Sequence, residues 1–315
     1  MQPGMHPSDR PAAVPVPAAI TELIGSAESV AVLTGAGMSK ESGIATFREA
    51  QTGLWEQYAP EEIASVDGWA RDNALVWGWY QWRAHVARRA EPNDGHIALA
   101  ELAGSRTVSV VTQNVDDLHE RAGSRVISHL HGSLFAPRCE HCGTPYLGSD
   151  AFLPDDADAS PELRTSPPTC MHCLSLVRPG IVWFGEPLPL DAWGRAEASV
   201  LTADAVLVVG TSGIVYPAAR LPETALAAGI PVIEINPERT PERRRLGALE
   251  RHSGDRAPRP GGRDQRGRGA PLTGASGRES DRGSGAPSVR HWPMTPGPTR
   301  GSSPTSSSPL RLSIR

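Results

Sequence analysis

The sequence predicts an α/β fold built on a doubly wound parallel sheet. Short apolar segments rich in β-branched residues alternate with helical segments, and two of the apolar ones, residues 29–34 and 203–209, run directly into glycine-rich turns. Buried strands that alternate with helices are typical of a parallel sheet covered on both faces. All four cysteines lie in a polar, loop-rich segment as two C-x-x-C pairs, which indicates a small metal-binding module beside the sheet.

Composition and charge exclude several classes of protein. The 315-residue chain has a formal net charge of −4, but residues 251–315 hold 12 Arg and only 4 acidic residues, so the preceding part is strongly acidic. An acidic body does not hold nucleic acid by charge. No segment approaches the roughly 18 apolar residues of a membrane span, and no signal peptide is predicted. Because no cysteine is left over for disulfides, the sequence favours a cytoplasmic protein.

The elements follow each other regularly between two biased ends. Residues 1–17 are rich in Pro and Ala and are expected to be disordered. Residues 251–315, rich in Gly, Pro, Ser and Arg, are also expected to be disordered, because they bury too little apolar area to offset their conformational entropy. Between these ends the pattern predicts helices at 18–25, about 57–90 and 96–103, and further strands at 107–111, 126–130, 178–186 and 231–235.

The first glycine-rich turn, residues 35–48, follows a strand and leads into a helix. Glycines in such a turn let the backbone approach a pyrophosphate, and the N–H groups at the helix start point at it. The usual fingerprint has a third glycine where this chain has Lys40, so a simple tight turn is the alternative interpretation. The turn also carries hydroxyl groups, another glycine, an aromatic ring and a cation, from Ser39, Ser42, Gly43, Phe47 and Arg48.

Polar side chains also follow the other predicted strands, at the edge where open α/β sheets bind ligands. Gln113, Asn114 and Asp116 come soon after the strand at 107–111. Asn114 or Asp116 is a good N-cap for the next helix, but the three together exceed what a cap needs. A second glycine and hydroxyl turn, residues 210–213, follows the strand at 203–209 and suits a phosphate or a ribose.

The cysteines indicate a zinc site. Two C-x-x-C pairs stand 27 residues apart, and four thiolates complete a tetrahedral zinc without an open position, so the metal is expected to be structural. His141 and His172 are rival ligands that we interpret as bystanders. A redox C-x-x-C is less favoured, because both pairs lie in loop-rich sequence rather than after a strand. The predicted ligands are Cys139, Cys142, Cys170 and Cys173.

Tyr80 and Arg83 are a further candidate pair, in the tryptophan-rich helical region. Three residues apart, they share one helix face and can reach one small ligand together. Physical chemistry alone favours a half-buried tyrosine beside an arginine whose head stays in water. Both interpretations remain open on the residues alone.

Eight motifs follow one another along the chain. They are GAGMSKESGIATFR at 35–48, TQNVDDLHERAG at 112–123, His131-Gly132, the two cysteine pairs, RPGIVWFGE at 178–186, GTSGIVYPAA at 210–219 and Ile235-Asn236. Together they resemble the sirtuins, the NAD-dependent protein-lysine deacylases, over residues from about 30 to 236. Lys40 and Ala45 depart from the usual form of the first motif, at positions not expected to contact the cofactor.

The resemblance implies two domains within residues 18–250. A Rossmann-type large domain would comprise residues 18–50, 95–136 and 176–250. A small domain would combine a helical module at 51–94 with a zinc ribbon at 137–175. The acyl-lysine peptide would lie between them, along Val182, Phe184 and Gly185. The protein is expected to be a monomer whose partners are acyl-lysine proteins or peptides.

The resemblance also implies a reaction and its residues. The acyl oxygen would attack C1′ of the nicotinamide ribose, and the products would be nicotinamide, O-acyl-ADP-ribose and free lysine. His131 would be the general base, since an unperturbed imidazole titrates at about 6.5. The implied NAD contacts are Gly35, Ala36, Gly37, Ser39, Gly43, Phe47, Arg48, Gln113, Asn114, Val115, Asp116, Gly210, Thr211, Ser212, Asn236 and Ser253.

Acyl preference and two alternatives complete the expectations. Tyr80 and Arg83 match the Y-x-x-R signature of sirtuins that remove succinyl and malonyl groups, so desuccinylase and demalonylase activities are expected beside deacetylase activity. The alternatives are a mono-ADP-ribosyltransferase on the same fold, or a non-catalytic NAD- or peptide-binding module. The second alternative arises because residues 251–315 lack the expected apolar C-terminal helix, through either a shifted reading frame or a genuine extension.

Overall fold

The computed structural model describes residues 15–45, 63–148, 151–152, 164–237 and 311–314. All of these belong to one compact unit, residues 1–254 with 308–315, and the second unit, residues 255–307, lies outside the described residues. The described α-helices are α1 (Ala18–Ser26), α2 (Val66–Arg71), α3 (Asn73–Arg89), α4 (Asp94–Leu102), α5 (Leu118–Arg121), α6 (Leu190–Thr202) and α7 (Arg220–Ala227), and a 3-10 helix spans Ala36–Ser42. The described strands are β1 (Ser29–Thr34), β2 (Thr107–Thr112), β3 (Val126–His129), β4 (Arg138–Cys139), β5 (Val177–Arg178), β6 (Ala205–Val209), β7 (Val232–Asn236) and β8 (Arg311–Ile314).

The main sheet confirms the predicted doubly wound architecture. Its strand order is β3-β2-β1-β6-β7-β8, in which the first five strands are parallel to their neighbours and β8 is antiparallel to β7. The chain moves outwards from β1 to β3 and then crosses back to β6, so the order reverses between β1 and β6. The carboxyl ends of these two strands therefore form the switch point at which such sheets bind ligands.

The central strand β1 is buried on both faces because helices cover each side. Val30 and Val32 belong to a core that includes residues of α1 and α4. Ala31 and Leu33 point to the opposite face, where the core includes residues of α6 and α7. No helix in the described ranges is long and apolar enough to cross a membrane.

Helices α2 and α3 form a separate core with the segment that leaves the cysteine module. The Asp72 side chain accepts the N–H of Leu75 and so caps the start of α3. Trp77, 2% exposed, packs in this core. The same cluster contains Val177 of β5 and Trp183, so the helical and cysteine-containing parts share one apolar core.

The strand predicted at 178–186 is wrong in its extent. The structure has only β5 there, followed by isolated bridges at Ile181 and Phe184. Glycines interrupt the extended backbone. Gly180 packs so tightly against the Ala136 carbonyl that a Cβ atom would lie 1.9 Å from its oxygen, and Gly185 has φ +88°.

Strand β8 differs from the expectation of a tail without ordered structure. Four residues, Arg311–Ile314, pair with the edge strand β7. A strand of this length has too few residues for its alternation to stand out from a biased sequence. The rest of the tail lies outside the described residues, so its predicted disorder stays a prediction.

Candidate active site

The two glycine-rich turns meet by their backbones at the switch point of the sheet. The Gly37 N–H donates to the Gly210 carbonyl at 2.8 Å, and the Gly35 N–H donates to the Val209 carbonyl at 3.1 Å. A Cβ atom at Gly37 would lie 2.7 Å from the Gly210 oxygen, and one at Gly210 would lie 2.4 Å from the Met38 nitrogen. These contacts require glycine at both positions, and they give one continuous backbone surface after β1 and β6.

A buried polar cluster lies beside this surface, where β2 ends. The Ser39 hydroxyl donates to Oδ2 of Asp116 at 3.0 Å and accepts from Nδ2 of Asn114 at 3.0 Å. The other oxygen of Asp116 accepts the Leu118 N–H at 3.2 Å. Burial raises the pKa of Asp116, although the bonds from Leu118 and Ser39 partly oppose that shift. An amide and a carboxylate held side by side match the donors and acceptor of a carboxamide.

His131 lies next to this cluster, and a contact of one ring nitrogen shows which nitrogen carries the proton. Its Nδ1 lies 3.1 Å from the Gln113 carbonyl oxygen. A carbonyl only accepts, so Nδ1 carries the proton and Nε2 has a lone pair. Burial lowers the pKa of His131, and the bond to Gln113 offsets part of this shift. The neutral imidazole is therefore ready to accept a proton at Nε2.

His129, which sequence reasoning did not select, is engaged at both nitrogens. Nδ1 lies 3.1 Å from the Asn114 carbonyl oxygen, and Nε2 lies 2.6 Å from Oε1 of Glu120. Burial lowers its pKa, but the hydrogen bond and the charge of Glu120 outweigh burial and leave the pKa raised. The alternation His129-Leu130-His131 was a signal for a second histidine on this face.

The second glycine turn is tied to the ends of β2 and β7. Nε2 of Gln113 donates to Oγ1 of Thr211 at 3.1 Å, and Nδ2 of Asn236 donates to the Thr211 carbonyl at 2.6 Å. Ser212 is exposed beside them. The structure therefore brings together the predicted polar residues of four strand ends. Phe47, Arg48 and Ser253 lie outside the described residues.

A small cavity of about 130 Å³ connects α3 to the polar cluster. Arg83 and Asp116 both line it, together with Gly43 and Val115. The Arg83 guanidinium lies 4.9 Å from the ring centroid of Trp79 and 5.9 Å from that of Tyr80. Burial lowers the pKa of Arg83, while Tyr80 and Asp116 act in the opposite direction.

Tyr80 lies behind Arg83 and does not line this cavity. It is 4% exposed, and its hydroxyl oxygen accepts Nε1–H of Trp183 at 3.1 Å. Burial raises the pKa of Tyr80 to about 12, so the hydroxyl keeps its proton. The predicted face shared by Tyr80 and Arg83 is present, but in this conformation only Arg83 reaches the cavity.

The backbone donors of the segment proposed to hold a peptide are partly used within the chain. The Val182 N–H donates to the His131 carbonyl at 2.9 Å, and the Phe184 N–H donates to the Ala64 carbonyl at 3.1 Å. Phe184 is nevertheless 50% exposed. Within the described chain the Gly185 N–H has no backbone partner, unlike the N–H groups of Val182 and Phe184.

The four cysteines form one compact cluster. Their Sγ atoms lie within 4.8 Å of one another, with 3.4 Å from Cys139 to Cys173 and 3.7 Å from Cys142 to Cys170. Tetrahedral zinc with Zn–S bonds of about 2.3 Å places sulfurs about 3.8 Å apart, so the donors and their spacing fit zinc. Among the described residues, neither His141 nor His172 joins the cluster. Four thiolate ligands leave no open coordination position, as is typical of structural zinc sites.

The strand order, the paired glycine turns at the switch point and the four-cysteine module define a dinucleotide-binding α/β protein with a zinc-binding cysteine cluster. The sequence profile of the Sir2 family matches residues 35–217. The chain therefore belongs to the Sir2 family, the sirtuins.

Curated relatives and solved structures agree with this assignment. The chain is 55% identical to the NAD-dependent protein deacylase Sir2 of Mycolicibacterium smegmatis over 67% of this chain and 86% of that protein. It is 50% identical to an NAD-dependent protein deacylase of Corynebacterium glutamicum over 70% and 84% of the two chains. A crystal structure of a Sir2 homologue–NAD complex gives a TM-score of 0.63 at 43% identity, covering 74% and 92%. Sir2Tm bound to a propionylated peptide gives 0.60 at 28% identity, covering 75% and 97%.

Proposed function

We propose that this chain is an NAD-dependent protein-lysine deacylase that accepts succinyl, malonyl and acetyl groups. The observation that carries the proposal is the neutral His131 beside the Ser39–Asn114–Asp116 cluster at the switch point of the sheet. The relatives named as NAD-dependent deacylases support the reaction class. The NAD and propionylated-peptide complexes of structural neighbours support the cofactor and the acyl-lysine substrate.

The residues at the strand ends fit the parts of NAD. Asp116 would accept the N–H of the nicotinamide carboxamide, and Asn114 would bind the same group. Nε2 of Gln113 already donates to Thr211, so the side-chain oxygen Oε1 is left to accept a ribose hydroxyl. Ser212 and Asn236 would hold a phosphate and the adenine ribose, and the backbone of residues 35–37 would face the pyrophosphate. When bound, NAD supplies a ribose carbon that takes the acyl oxygen as nicotinamide leaves.

His131 would act as the general base of the transfer. Its Nε2 would take the proton from a ribose hydroxyl, and that oxygen would then attack the acyl carbon. The Gln113 carbonyl keeps Nδ1–H in place and stabilises the positive charge on the ring after proton uptake. The depressed pKa keeps Nε2 unprotonated at neutral pH, which is the form that a base needs.

Arg83 would determine the preference for acidic acyl groups. Arg83 and Asp116 line the same cavity, so the cavity leads from α3 to the reacting centre. A carboxylate that enters the cavity loses water, and a guanidinium fork replaces those bonds. Tyr80 accepts from Trp183 and keeps its own O–H proton, but it would reach the acyl group only after a change of conformation, because it is now buried behind Arg83.

The products of one labelled substrate separate this proposal from its alternatives. The enzyme is incubated with adenine-labelled NAD and matched acetyl- and succinyl-lysine peptides, and the mixture is resolved by mass spectrometry. A deacylase gives O-acyl-ADP-ribose and a peptide with free lysine. A mono-ADP-ribosyltransferase leaves the label on protein, and a non-catalytic module leaves NAD intact; either result would overturn the proposal.

A further inference from the structure

A buried histidine that the proposed reaction does not use lies beneath the polar cluster. His119 of α5 is 1% exposed, and its Nε2 lies 3.0 Å from Oγ1 of Thr34. The Thr34 hydroxyl donates to Oγ1 of Thr112 at 2.8 Å, and that oxygen accepts the Asn114 N–H at 3.0 Å. A continuous row of hydrogen bonds therefore joins His119 to the backbone of Asn114.

The two threonines are placed by the register of the sheet. Thr34 and Thr112 are the last residues of β1 and β2, and they pair directly in the parallel register. Both are almost fully buried, at 0% and 1% exposure. A buried hydroxyl destabilises a protein unless it is hydrogen-bonded, so the row satisfies groups that an apolar core would otherwise leave unpaired.

The contacts assign the proton on His119. Because the Thr34 hydroxyl proton is directed to Thr112, Nε2 of His119 is the donor and Nδ1 carries the lone pair. Within the described chain, Nδ1 is buried without a hydrogen-bond partner. Burial and the neighbouring His96 ring, 4.8 Å away between centroids, lower the pKa of His119 to about 3. The ring is therefore a constant neutral donor and not a second base.

We propose that His119 is a positioning residue whose Nε2–H, acting through Thr34 and Thr112, fixes Asn114 for binding the carboxamide of the cofactor. The segment is fixed from its other side as well, because the Leu118 N–H holds Asp116 at 3.2 Å. Helix α5 thus orients two of the three members of the polar cluster, Asn114 and Asp116. What the cluster binds rests on the proposed function, but the hydrogen-bond row itself does not.

Three substitutions test the row, with a fourth as control. His119→Phe keeps a buried ring and removes the donor, and Thr34→Val keeps the shape and removes the hydroxyl. His119→Gln returns an amide donor near the position of Nε2. His85→Phe is the matched control, since His85 is a buried histidine of α3, 3% exposed, that takes no part in the row. The readouts are amide exchange of Asn114 in the free protein, NAD affinity by calorimetry, and kcat and KM for NAD.

The expected pattern has three parts. His119→Phe and Thr34→Val each speed Asn114 exchange about tenfold and weaken NAD binding about three- to tenfold, the effect of one lost hydrogen bond. The double variant is no worse than either single one, because both break the same row. His119→Gln recovers most of the affinity, and His85→Phe changes neither readout.

Other outcomes overturn the inference. Additive losses in the double variant, equal losses in His119→Phe and His85→Phe, or unchanged Asn114 exchange would each mean that His119 is only a core residue. If His119→Phe does not fold, Thr34→Val and His119→Gln decide the question. If the wild type neither binds nor consumes NAD, the proposed function fails, while the exchange data still decide whether His119 positions Asn114.

Discussion

The polar cluster at the strand ends and the cavity under α3 are adjacent, yet their polar groups differ in the hydrogen bonds that they already make. In the cluster, Ser39, Asn114 and Asp116 already hydrogen-bond one another. In the cavity, the described contacts of Arg83 are with the rings of Trp79 and Tyr80, and no ion pair joins it within the described chain. The groups assigned to the chemistry are pre-organised, whereas the group assigned to acyl choice is left for the substrate to pair.

The cysteine module shares an apolar core with α2 and α3, the helix that carries Arg83, so its loss should have the largest effect. Cys139→Ser removes a ligand, and metal binding in such modules contributes about 10 kcal/mol or more of folding free energy. Soluble yield, zinc content and Tm should fall together. His172→Ala is the matched control and should keep zinc. A Cys139→Ser protein with normal Tm and no bound metal would contradict a structural zinc.

His131→Ala should abolish acyl transfer and leave cofactor binding nearly unchanged. Loss of a general base costs about 10²- to 10⁴-fold in kcat. Calorimetry should show NAD affinity within about threefold of the wild type, because the Asn114 and Asp116 contacts do not pass through the ring. A variant with near-normal turnover would remove His131 from the mechanism.

Arg83→Met should separate the two regions most clearly. The substitution keeps an aliphatic stem and removes the guanidinium group of Arg83. A hydrogen bond to a charged group contributes about 1.5–3 kcal/mol, so kcat/KM for a succinyl peptide should fall about 10- to 100-fold. The matched acetyl peptide should lose much less, since it has no carboxylate. Equal losses on both peptides would make Arg83 a scaffold residue.

The pH profile should show the smallest effect, which is a shift of the acidic limb of activity to lower pH. The base works only when neutral, and burial lowers the pKa of His131 below its ordinary value. Activity should therefore persist as the pH falls through 6.5, which is about the unperturbed value, and should decline only at lower pH. A kcat/KM midpoint above 6.5 would indicate that another group, such as His129 with its raised pKa, controls the limb.

The sheet and the zinc site could be predicted because they depend on local patterns. β1 has the predicted bounds Ser29–Thr34, since a six-residue apolar run that contains β-branched residues and ends at a glycine-rich turn favours a strand over a helix. The cysteine spacing predicts a compact cluster, and the four Sγ atoms lie within 4.8 Å. In both cases the decisive information lies within a few consecutive residues or a known ligand spacing.

Contacts across the sheet could not be predicted in the same way. The row from His119 to Asn114 depends on the pairing of Thr34 with Thr112, 78 residues apart in sequence. The orientation of Tyr80 toward Trp183 depends on a partner 103 residues away. A single sequence shows residue types and spacing, but it does not show which rotamer a distant neighbour stabilises.

Nicotinamide release from NAD, measured with unmodified, acetyl- and succinyl-lysine peptides of one sequence, tests the central claim most directly. The account predicts release only with acylated peptide, in equal amount to the lysine freed, and faster with succinyl than with acetyl in the wild type. Arg83→Met should remove the succinyl advantage, and His131→Ala should remove turnover. Release that is independent of an acyl peptide, or no release with either acyl peptide, would contradict it.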